Sequence, residues 1–311
     1  MKSFIKNLLL ASMTAIIILP SCNSGKEYLI EYNLKEGETY KYKTTVDSEI
    51  IQSFQGQSME TASLMEMDMT YNVVNIQNDL YTLDLKIDRI KSTSLANGMP
   101  MVIDSNTTDT IVSDENLGPI FKAITNPIYT ITMDKRGKME AFSGLDEAFE
   151  NMFKYFPDTI DNETQEIFST ELRAQFEDNF SMFGFEQLAN YYPEKPVKIG
   201  ESWKTLYSSS LNQVDITIDI VNTLKKVENN IATIVSEGRV YTPEEGISLY
   251  TMGMELIMKM NGTQTSTINI DLNTGFLTNM ETTQDMEGET SIMGTGMTIP
   301  QTFKTVLKMS N

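Results

Sequence analysis

The sequence lacks histidine altogether and contains one cysteine, Cys22, and one tryptophan in 311 residues. Without histidine there is no Ser-His or Cys-His nucleophile pair, no histidine-bound metal and no imidazole base. A single cysteine excludes disulfides within the chain. Neither a GxGxxG fingerprint nor a P-loop occurs, so no nucleotide site is indicated. We therefore predict a protein that is not an enzyme and that carries no cofactor and no metal.

Positive charge is also scarce, since 24 Lys and Arg residues stand against 43 Asp and Glu residues and the formal net charge is −19. A chain of this charge repels nucleic acid and anionic lipid headgroups, so we expect no nucleic-acid partner. Catalysis by paired carboxylates, as in a glycosidase, remains an alternative. With so many acidic residues some pair will always have suitable spacing, and the sequence singles out none.

The N-terminal segment has the pattern of an export signal. Lys2 and Lys6 precede an apolar run, Leu8–Leu19, which is shorter than the roughly 20 residues that a membrane-spanning helix needs. The run closes on LPSC, residues 19–22, which matches the bacterial lipobox. We predict that residues 1–21 are a cleaved signal peptide and that Cys22 carries palmitate-type acyl chains that hold the protein on a membrane. The alternative is a secreted protein cut elsewhere, with Cys22 as a free thiol.

A polar tether at residues 22–27 leads into a chain that is mostly β-strand in pattern. Strict alternation over Glu38–Lys43 places Tyr40 and Tyr42 on one face of a strand. We predict a first β half at residues 28–142, a helical segment at 143–192 and a second β half at 193–311.

Two pairs of turn-forming residues predict hairpins within these β regions. Asn78 and Asp79 separate strand patterns at Ser63–Ile76 and Leu80–Ile90, which predicts an antiparallel hairpin. Asn261–Gly262 is a second strong turn signal, and we expect another hairpin there.

The period changes to that of a helix at residues 143–192. Ser143, with Asp146 and Glu147, forms an N-terminal capping signature. A second helix is predicted from about Asp161, with apolar residues at steps of four: Phe168, Leu172, Phe176 and Phe180.

The two β regions open in the same way. Lys35–Lys41 (KEGETYK) and Lys198–Lys204 (KIGESWK) share KxGE followed by a hydroxyl residue, an aromatic residue and Lys. Val73–Asn75 is matched to Ile220–Asn222 further on. A turn that leads into a strand explains the motif, and a binding motif is the alternative. We predict an α+β fold in which a curved antiparallel sheet of two similar halves packs on the central helical segment.

Methionine is unusually frequent, with 21 residues, and it clusters at strand spacing. Three interpretations are open: an apolar lining packed against the Phe-rich helices, a Cu(I) site of soft thioethers, or the lining of a cavity for acyl chains or another apolar ligand. The predicted ligand-binding residues are Met65, Met67, Met69, Met252, Met254, Met258 and Met260. Asp104, Asn106 and Asp109 have a faint likeness to a calcium loop but lack its Gly and terminal Glu, so we predict a solvated loop.

Four features together are similar to those of a known family: the lipobox, the segment Leu34–Lys43 (LKEGETYKYK), the pair Asp104–Ser105 before a long loop, and Pro196–Trp203 (PVKIGESW). The chain resembles uncharacterised bacterial cell-envelope lipoproteins with a domain of unknown function (DUF6263-like). The resemblance covers nearly all of the mature chain and implies location and architecture only.

The sequence therefore predicts a lipid-anchored protein of the bacterial cell envelope, at the outer membrane or its periplasmic face. Its predicted role is to bind or carry an apolar molecule or lipid. The alternative is a structural or protein-interaction lipoprotein with a filled core and no small-molecule ligand. The expected partners are the membrane, through the N-terminal lipid, and an apolar ligand or an envelope protein.

Overall fold

The computed structural model describes residues 25–54, 56–96, 99–108, 118–156, 170, 188–211, 214–251 and 254–311. The predicted signal peptide, the predicted lipidation site Cys22, the predicted second helix and Met252 lie outside these residues.

The described chain is mostly β-strand, with two short helices. The helices are α1 (Gly118–Thr125) and α2 (Leu145–Phe153). The strands are β1 Glu27–Tyr28, β2 Thr39–Phe54, β3 Gln57–Gln77, β4 Leu80–Ala96, β5 Met99–Asp104, β6 Ile128–Met133, β7 Met139–Ser143, β8 Val197–Lys198, β9 Ser202–Leu211, β10 Val214–Glu228, β11 Ile231–Tyr241, β12 Ile247–Thr251, β13 Met254–Asp271, β14 Leu277–Ile292 and β15 Met297–Ser310.

Thirteen of these strands form one antiparallel sheet. Its path runs β7-β6-β4-β3-β2-β15-β14-β13-β11-β10-β9, with β5 beside β4 and β12 beside β13. The first meander (β2 to β7) and the second meander (β9 to β15) join where β2 pairs with β15. The predicted mostly antiparallel β architecture is confirmed. The path is open and the sheet is uncurled, so the predicted curvature is not confirmed.

The hairpin predicted at Asn78 and Asp79 is confirmed. These residues have φ of 54° and 63° and join β3 to β4. Asn229 and Asn230, with φ of 51° and 63°, join β10 to β11 in the same way. Two consecutive positive φ angles match the right-handed twist of the flanking strands, and Asn and Asp tolerate them best after Gly.

The turn predicted at Asn261–Gly262 is wrong, because both residues lie inside β13. A Cβ on Gly262 would collide with the Asp285 carbonyl oxygen and would lie 2.6 Å from the Met286 Cα, both on β14. The glycine therefore permits a close approach of two strands. A sequence window does not distinguish this role from a turn.

The two KxGE segments form turns with matching hydrogen bonds. Gly37 (φ 84°) donates its N–H to the Val73 carbonyl at 2.8 Å, and Gly200 (φ 90°) donates to the Leu224 carbonyl at 2.7 Å. No atom would contact a Cβ at either glycine, so the positive φ alone favours glycine there. The sequence comparison matched Val73 to Ile220, and this match is wrong, because the hydrogen bonds of the two turns align Val73 with Leu224.

The capping residue predicted for α2 is also wrong. Ser143 pairs with Thr130 as the last residue of β7, and Gly144, with φ 106°, occupies the N-cap without a side-chain hydrogen bond. A Cβ at Gly144 would lie 2.6 Å from the Ile128 carbonyl oxygen.

Helix α1 lies in the predicted first β half; the proline at its second position is the sequence signal that was available. In the part of the chain that the structure describes, no helix is long and apolar enough to cross a membrane.

One end of the sheet is closed by aromatic side chains, and we call it the aromatic end. The chain before β2 runs through it, with Tyr32 fully buried and its N–H bonded to the Lys135 carbonyl at 2.7 Å. Tyr40 stacks on Phe276 with centroids 3.7 Å apart. Glu27 is the first residue of β1, which pairs with β8, so the predicted tether ends at residue 26.

Candidate ligand-binding face

The two sides of the sheet differ completely in charge. Residues directly opposite each other on antiparallel strands share a face, so the register assigns every side chain to one side. On the central strands β3, β2, β15, β14 and β13, the side that contains Met67 carries no charged residue; we call it the uncharged face. The opposite, charged face of these strands carries Lys41, Lys43, Asp47, Glu49, Glu60, Glu66, Asp68, Glu255, Lys259, Asp271, Glu281, Asp285, Glu287, Glu289, Lys304 and Lys308.

The charged face contains cross-strand ion pairs. Lys43 lies 3.2 Å from Glu66, and Lys308 lies 3.3 Å from Glu281. A groove of about 730 Å³ crosses this face, and its lining combines Ile51 and Tyr241 with Glu287 and both signs of charge. Solvated ion pairs of this kind contribute little to stability individually, so the charged face is chiefly a solvent-exposed surface.

The uncharged face is buried where it meets the aromatic end. One row of directly paired residues crosses six strands there, and all of its members are buried: Met67, Thr44, Met309, Met280, Ile268 and Ile234. This row forms the floor of the core, and its largely apolar composition accounts for its burial.

The next row lies two residues further along each strand, and its side chains change from apolar to polar halfway across the sheet. On β3, β2 and β15 it consists of Met65, Val46 and Leu307, which are only half-buried. On β14, β13, β11 and β10 it consists of polar residues that are almost completely buried: Thr282, Ser266, Ser236 and Asn222. We call these four residues the polar row.

Beyond Met65, Val46 and Leu307 the uncharged face remains half-open. Two rows further along, Ile50, Phe303 and Met286 lie side by side on β2, β15 and β14, and all three are half-buried. These six side chains make up what we call the open patch. With strands about 4.8 Å apart and about 3.4 Å per residue, it measures roughly 14 by 14 Å.

The hydroxyl and amide groups between the rows of the open patch bond to one another. Ser48 Oγ lies 3.3 Å from Thr305 Oγ1, and Gln284 Nε2 donates to Gln264 Oε1 at 2.7 Å. Because these polar atoms are partnered within the sheet, an apolar molecule that covers them leaves few unmade hydrogen bonds behind.

Tyr191 covers the polar row from above. Its hydroxyl lies 3.2 Å from Ser266 Oγ and accepts a hydrogen bond from Gln264 Nε2 at 3.1 Å. Ser266 Oγ also accepts from Thr282 Oγ1 at 2.9 Å. Burial raises the pKa of the Tyr191 hydroxyl, so the whole network stays uncharged at physiological pH.

The predicted methionine sites share this face but do not come together. Met67 and Met69 are buried at the aromatic end, and Met65 is half-buried within the open patch. On β13, Met260 is buried, Met258 is half-buried and Met254 is 43% exposed. Four strand spacings separate β3 from β13, which is about 19 Å. Their role as ligand-binding residues stays a prediction, and sulfur atoms of the two clusters are too far apart to share one copper ion.

The residues considered for a calcium loop are engaged otherwise. Asp104 accepts hydrogen bonds from Arg89 at 3.2 and 2.5 Å, and this guanidinium lowers the pKa of the carboxyl group. Asp109 lies outside the described residues. Within the described part of the chain, no group of three or more His, Cys, Asp or Glu residues is placed to hold a metal ion.

Sequence reasoning missed most of the open patch. It identified Met65 but not the other five members, Val46, Ile50, Met286, Phe303 and Leu307. The signal was present in β15, where apolar residues alternate with Lys304 and Lys308. What the sequence could not supply was the pairing of β15 with β2, which joins the two ends of the chain into one face.

Three solved structures show distant similarity to this chain. Lipovitellin, from a structure titled for its lipid-protein interactions, has a TM-score of 0.49 at 7% identity, with 89% of this chain and 25% of that chain covered, so this chain spans a quarter of its length. An outer membrane channel from Pseudomonas putida F1 scores 0.25 at 7% identity, covering 90% and 97%. A DUF1329 family protein from Desulfovibrio piger scores 0.12 at 8% identity, covering 86% and 84%. Likenesses at these scores support no assignment of fold or function.

No curated protein matches the sequence. A family does match it, over residues 78–277, which is more than half of the chain. The resemblance predicted from the sequence motifs is therefore confirmed as to the family. The chain belongs to DUF6263, a family of unknown function.

Proposed function

We propose that this protein binds an apolar or amphiphilic molecule, such as a lipid, on the open patch of its uncharged face, without catalysing a reaction. The observation that carries the proposal is charge segregation. In a chain of net charge −19, one side of five adjacent strands carries no charged residue, although half of its apolar side chains remain accessible. Burial of such surface releases water and stabilises a complex by roughly 25 cal/mol per Å² of apolar area.

Two features support a small molecule over a filled core. The open patch stops at the buried row that contains Met67, so the core is complete without it. At the rim of the face, Met59 is 45% exposed, which a core residue would not be. Adaptable side chains of this kind suit ligands of variable shape.

We also propose the location predicted from the lipobox, with Cys22 acylated and the protein held on a membrane of the cell envelope. A lipid-binding face on a lipid-anchored protein acts where its ligand is concentrated. The second candidate is an envelope protein partner on the same patch, favoured by its flat and extended shape.

We further propose that the two meanders descend from one β unit, and that residues 143–192 form the helical segment between them. The matched turns at Gly37 and Gly200 support this, as do the β-bulges that follow Val73 and Leu224 at the same distance from each turn.

The test compares two adjacent residues of β15, both half-buried. Leu307 lies in the open patch, whereas Val306 lies on the charged face. Wild type, Leu307→Glu and Val306→Glu are titrated with N-phenylnaphthylamine, a neutral fluorophore, and each is examined by native mass spectrometry after purification from cells.

We expect Leu307→Glu to weaken probe binding at least about tenfold and to lose any co-purifying lipid, because a buried carboxylate must be neutralised or desolvated. Val306→Glu should match the wild type. Equal binding by all three proteins, or none by the wild type, contradicts a ligand on this face. A wild type that binds no probe but retains an envelope protein in crosslinking favours the second candidate.

A further inference from the structure

We propose that the accessible methionines of the uncharged face are modification sites, at which a hydroperoxide forms methionine sulfoxide and thereby releases the ligand from the open patch. This inference rests on the proposed function and adds its regulation. In the reaction the O–O bond of the peroxide breaks and its terminal oxygen bonds to the methionine sulfur. The proton of that oxygen passes to the other one, which leaves as water or an alcohol. The thioether is oxidised by two electrons and the peroxide is reduced by two.

Methionine is segregated to one side of the sheet. Every methionine of the five central strands lies on the uncharged face. Hydrophobicity alone does not explain this, because Ile51, Leu64 and Val306 lie on the charged face of the same strands. Apart from methionine, the only sulfur of the chain belongs to Cys22, which is acylated in the proposed lipoprotein. Sulfur oxidation on the central strands therefore changes the ligand-binding face and leaves the charged face unaltered.

Burial divides these methionines into two groups. The members of the accessible group are at least half-buried or more exposed, with Met59 at 45% and Met254 at 43% exposure: Met59, Met65, Met254, Met258, Met286 and Met297. The members of the protected group are at most 5% exposed: Met67, Met69, Met260, Met280 and Met309. Because a peroxide must reach the sulfur atom, we expect exposure to set the rate of oxidation.

Two sulfur atoms of the protected group are also engaged in hydrogen bonds. The Tyr71 hydroxyl donates to Met69 Sδ at 3.5 Å, and Gln301 Nε2 donates to Met260 Sδ at 3.5 Å. Oxygen transfer requires a lone pair of the sulfur, and these bonds occupy one. Burial and hydrogen bonding therefore protect the core of the sheet while the open patch reacts.

Oxidation of Met65 and Met286 adds two sulfoxide oxygens to the open patch. The polar groups beside them already bond to one another, as Gln284 Nε2 does to Gln264 Oε1 at 2.7 Å. The sulfoxide oxygens therefore take their hydrogen bonds from water, and an apolar molecule that covers the patch must remove that water. The patch loses affinity for its ligand although the buried row is unchanged.

The first measurement maps the reaction along the chain. The purified protein is treated with increasing hydrogen peroxide, and mass spectrometry of its peptides gives the sulfoxide fraction at each methionine. We expect the accessible group to react at least about tenfold faster than the protected group. Oxidation of Met65 and Met286 no faster than that of Met67 and Met309 overturns the inference.

The second measurement is N-phenylnaphthylamine binding before and after peroxide treatment. It compares the wild type, the double variant Met65→Leu/Met286→Leu and Met293→Leu. Leucine has a similar volume but no sulfur to oxidise. Met293 is the matched control, because it is 52% exposed but lies in the turn between β14 and β15, outside the open patch.

We expect peroxide to weaken probe binding at least about tenfold in the wild type and in Met293→Leu, and less than about twofold in the double variant. Methionine sulfoxide reductases A and B together should restore binding by the oxidised wild type. If the double variant does not fold, Met65→Leu and Met286→Leu are tested singly, and at least one of them must reduce the loss.

The outcomes separate this inference from the proposed function. Wild-type binding that survives oxidation overturns the inference and leaves the proposed function intact, and so does a double variant as sensitive to peroxide as the wild type. Thermal unfolding of each oxidised protein is measured as well, and a loss of binding caused by unfolding also overturns the inference. A wild type that binds no probe before oxidation contradicts the proposed function, and the inference falls with it.

Discussion

The two meanders begin with matching turns but place different side chains on the uncharged face. Both open with a KxGE turn whose glycine bonds to the second strand, and both continue through a hairpin with two positive φ angles. In the row next to the buried core, however, the first meander contributes Met65 and Val46, and the second contributes Ser236 and Asn222. The turns are constrained by backbone geometry, whereas the side chains of the face are not, so the two meanders differ on the face and not in the turns.

The largest effect is expected in the buried row that crosses both meanders. Met67→Ala on β3 and Ile234→Ala on β11 should each lower the free energy of unfolding by about 3 kcal/mol, because each leaves a cavity beside well-packed neighbours. Urea denaturation measures both. A cost below about 1 kcal/mol for only one of them would show that the two meanders do not share a continuous core.

Exchanging polarity within the second row sharpens the contrast between the meanders. Ser236→Ala removes a buried hydroxyl group without a described partner, so we expect stability to be unchanged or higher by about 1 kcal/mol. Met65→Asn should instead lower stability by about 1 kcal/mol, because its half-buried site offers apolar neighbours. Thermal and urea unfolding of both variants provide the measurement. A large loss on Ser236→Ala would mean that the polar row is structural.

The two opening turns test the proposal that the two meanders are related. Gly37→Ala and Gly200→Ala should each cost about 1 kcal/mol, since both glycines have positive φ and open space around the missing Cβ. The two costs should agree within about 0.5 kcal/mol, which is the resolution of paired denaturation curves. Unequal costs would break the equivalence of the turns.

The smallest effect concerns an ion pair on the charged side of each meander. Arg89 holds Asp104 through two hydrogen bonds, whereas Arg239 lies 3.6 Å from Asp219 with a largely exposed side chain. Asp104→Asn should cost at most about 1 kcal/mol at neutral pH, and Asp219→Asn less.

The pH dependence of the Asp104 contribution has a fixed sign. The pKa of this carboxyl group is lower in the folded state than in the unfolded one, so the ion pair stabilises the protein above the unfolded pKa, about 3.9. That stability is lost as the pH falls through the folded pKa. Urea denaturation at pH 7 and pH 3 should show the gap between wild type and Asp104→Asn closing at the lower pH; a constant gap would rule out the ion pair as its source.

Local features of the sequence predicted the fold well where local chemistry decides it. The alternation in Glu38–Lys43 and the turn at Asn78 and Asp79 depend on neighbours in the chain, and both appear as predicted. The turn predicted at Asn261–Gly262 is wrong because Gly262 permits the close approach of a neighbouring strand and does not form a turn. The helix cap predicted at Ser143 is wrong for a similar reason, because Ser143 pairs with Thr130 in the sheet and so does not cap the helix.

The candidate site was predicted only in composition. A methionine-rich apolar lining was expected, and Met65 belongs to the open patch. Its other members come from both ends of the chain, brought together by the pairing of β2 with β15 over more than 250 residues of sequence separation. The spacing of apolar residues along the sequence gives no information about such a distant contact. The polar row likewise depends on the long-range pairing of strands.

All charged residues of the five central strands lie on one side of the sheet, so the charge of this region is distributed asymmetrically. Acidic residues outnumber basic ones on the charged face, so a negatively charged surface repels that side far more strongly than the other. The charges of these five strands therefore favour orientations in which the charged face points away from such a surface. This alignment acts over about one Debye length, roughly 8 Å at physiological ionic strength, and salt weakens it.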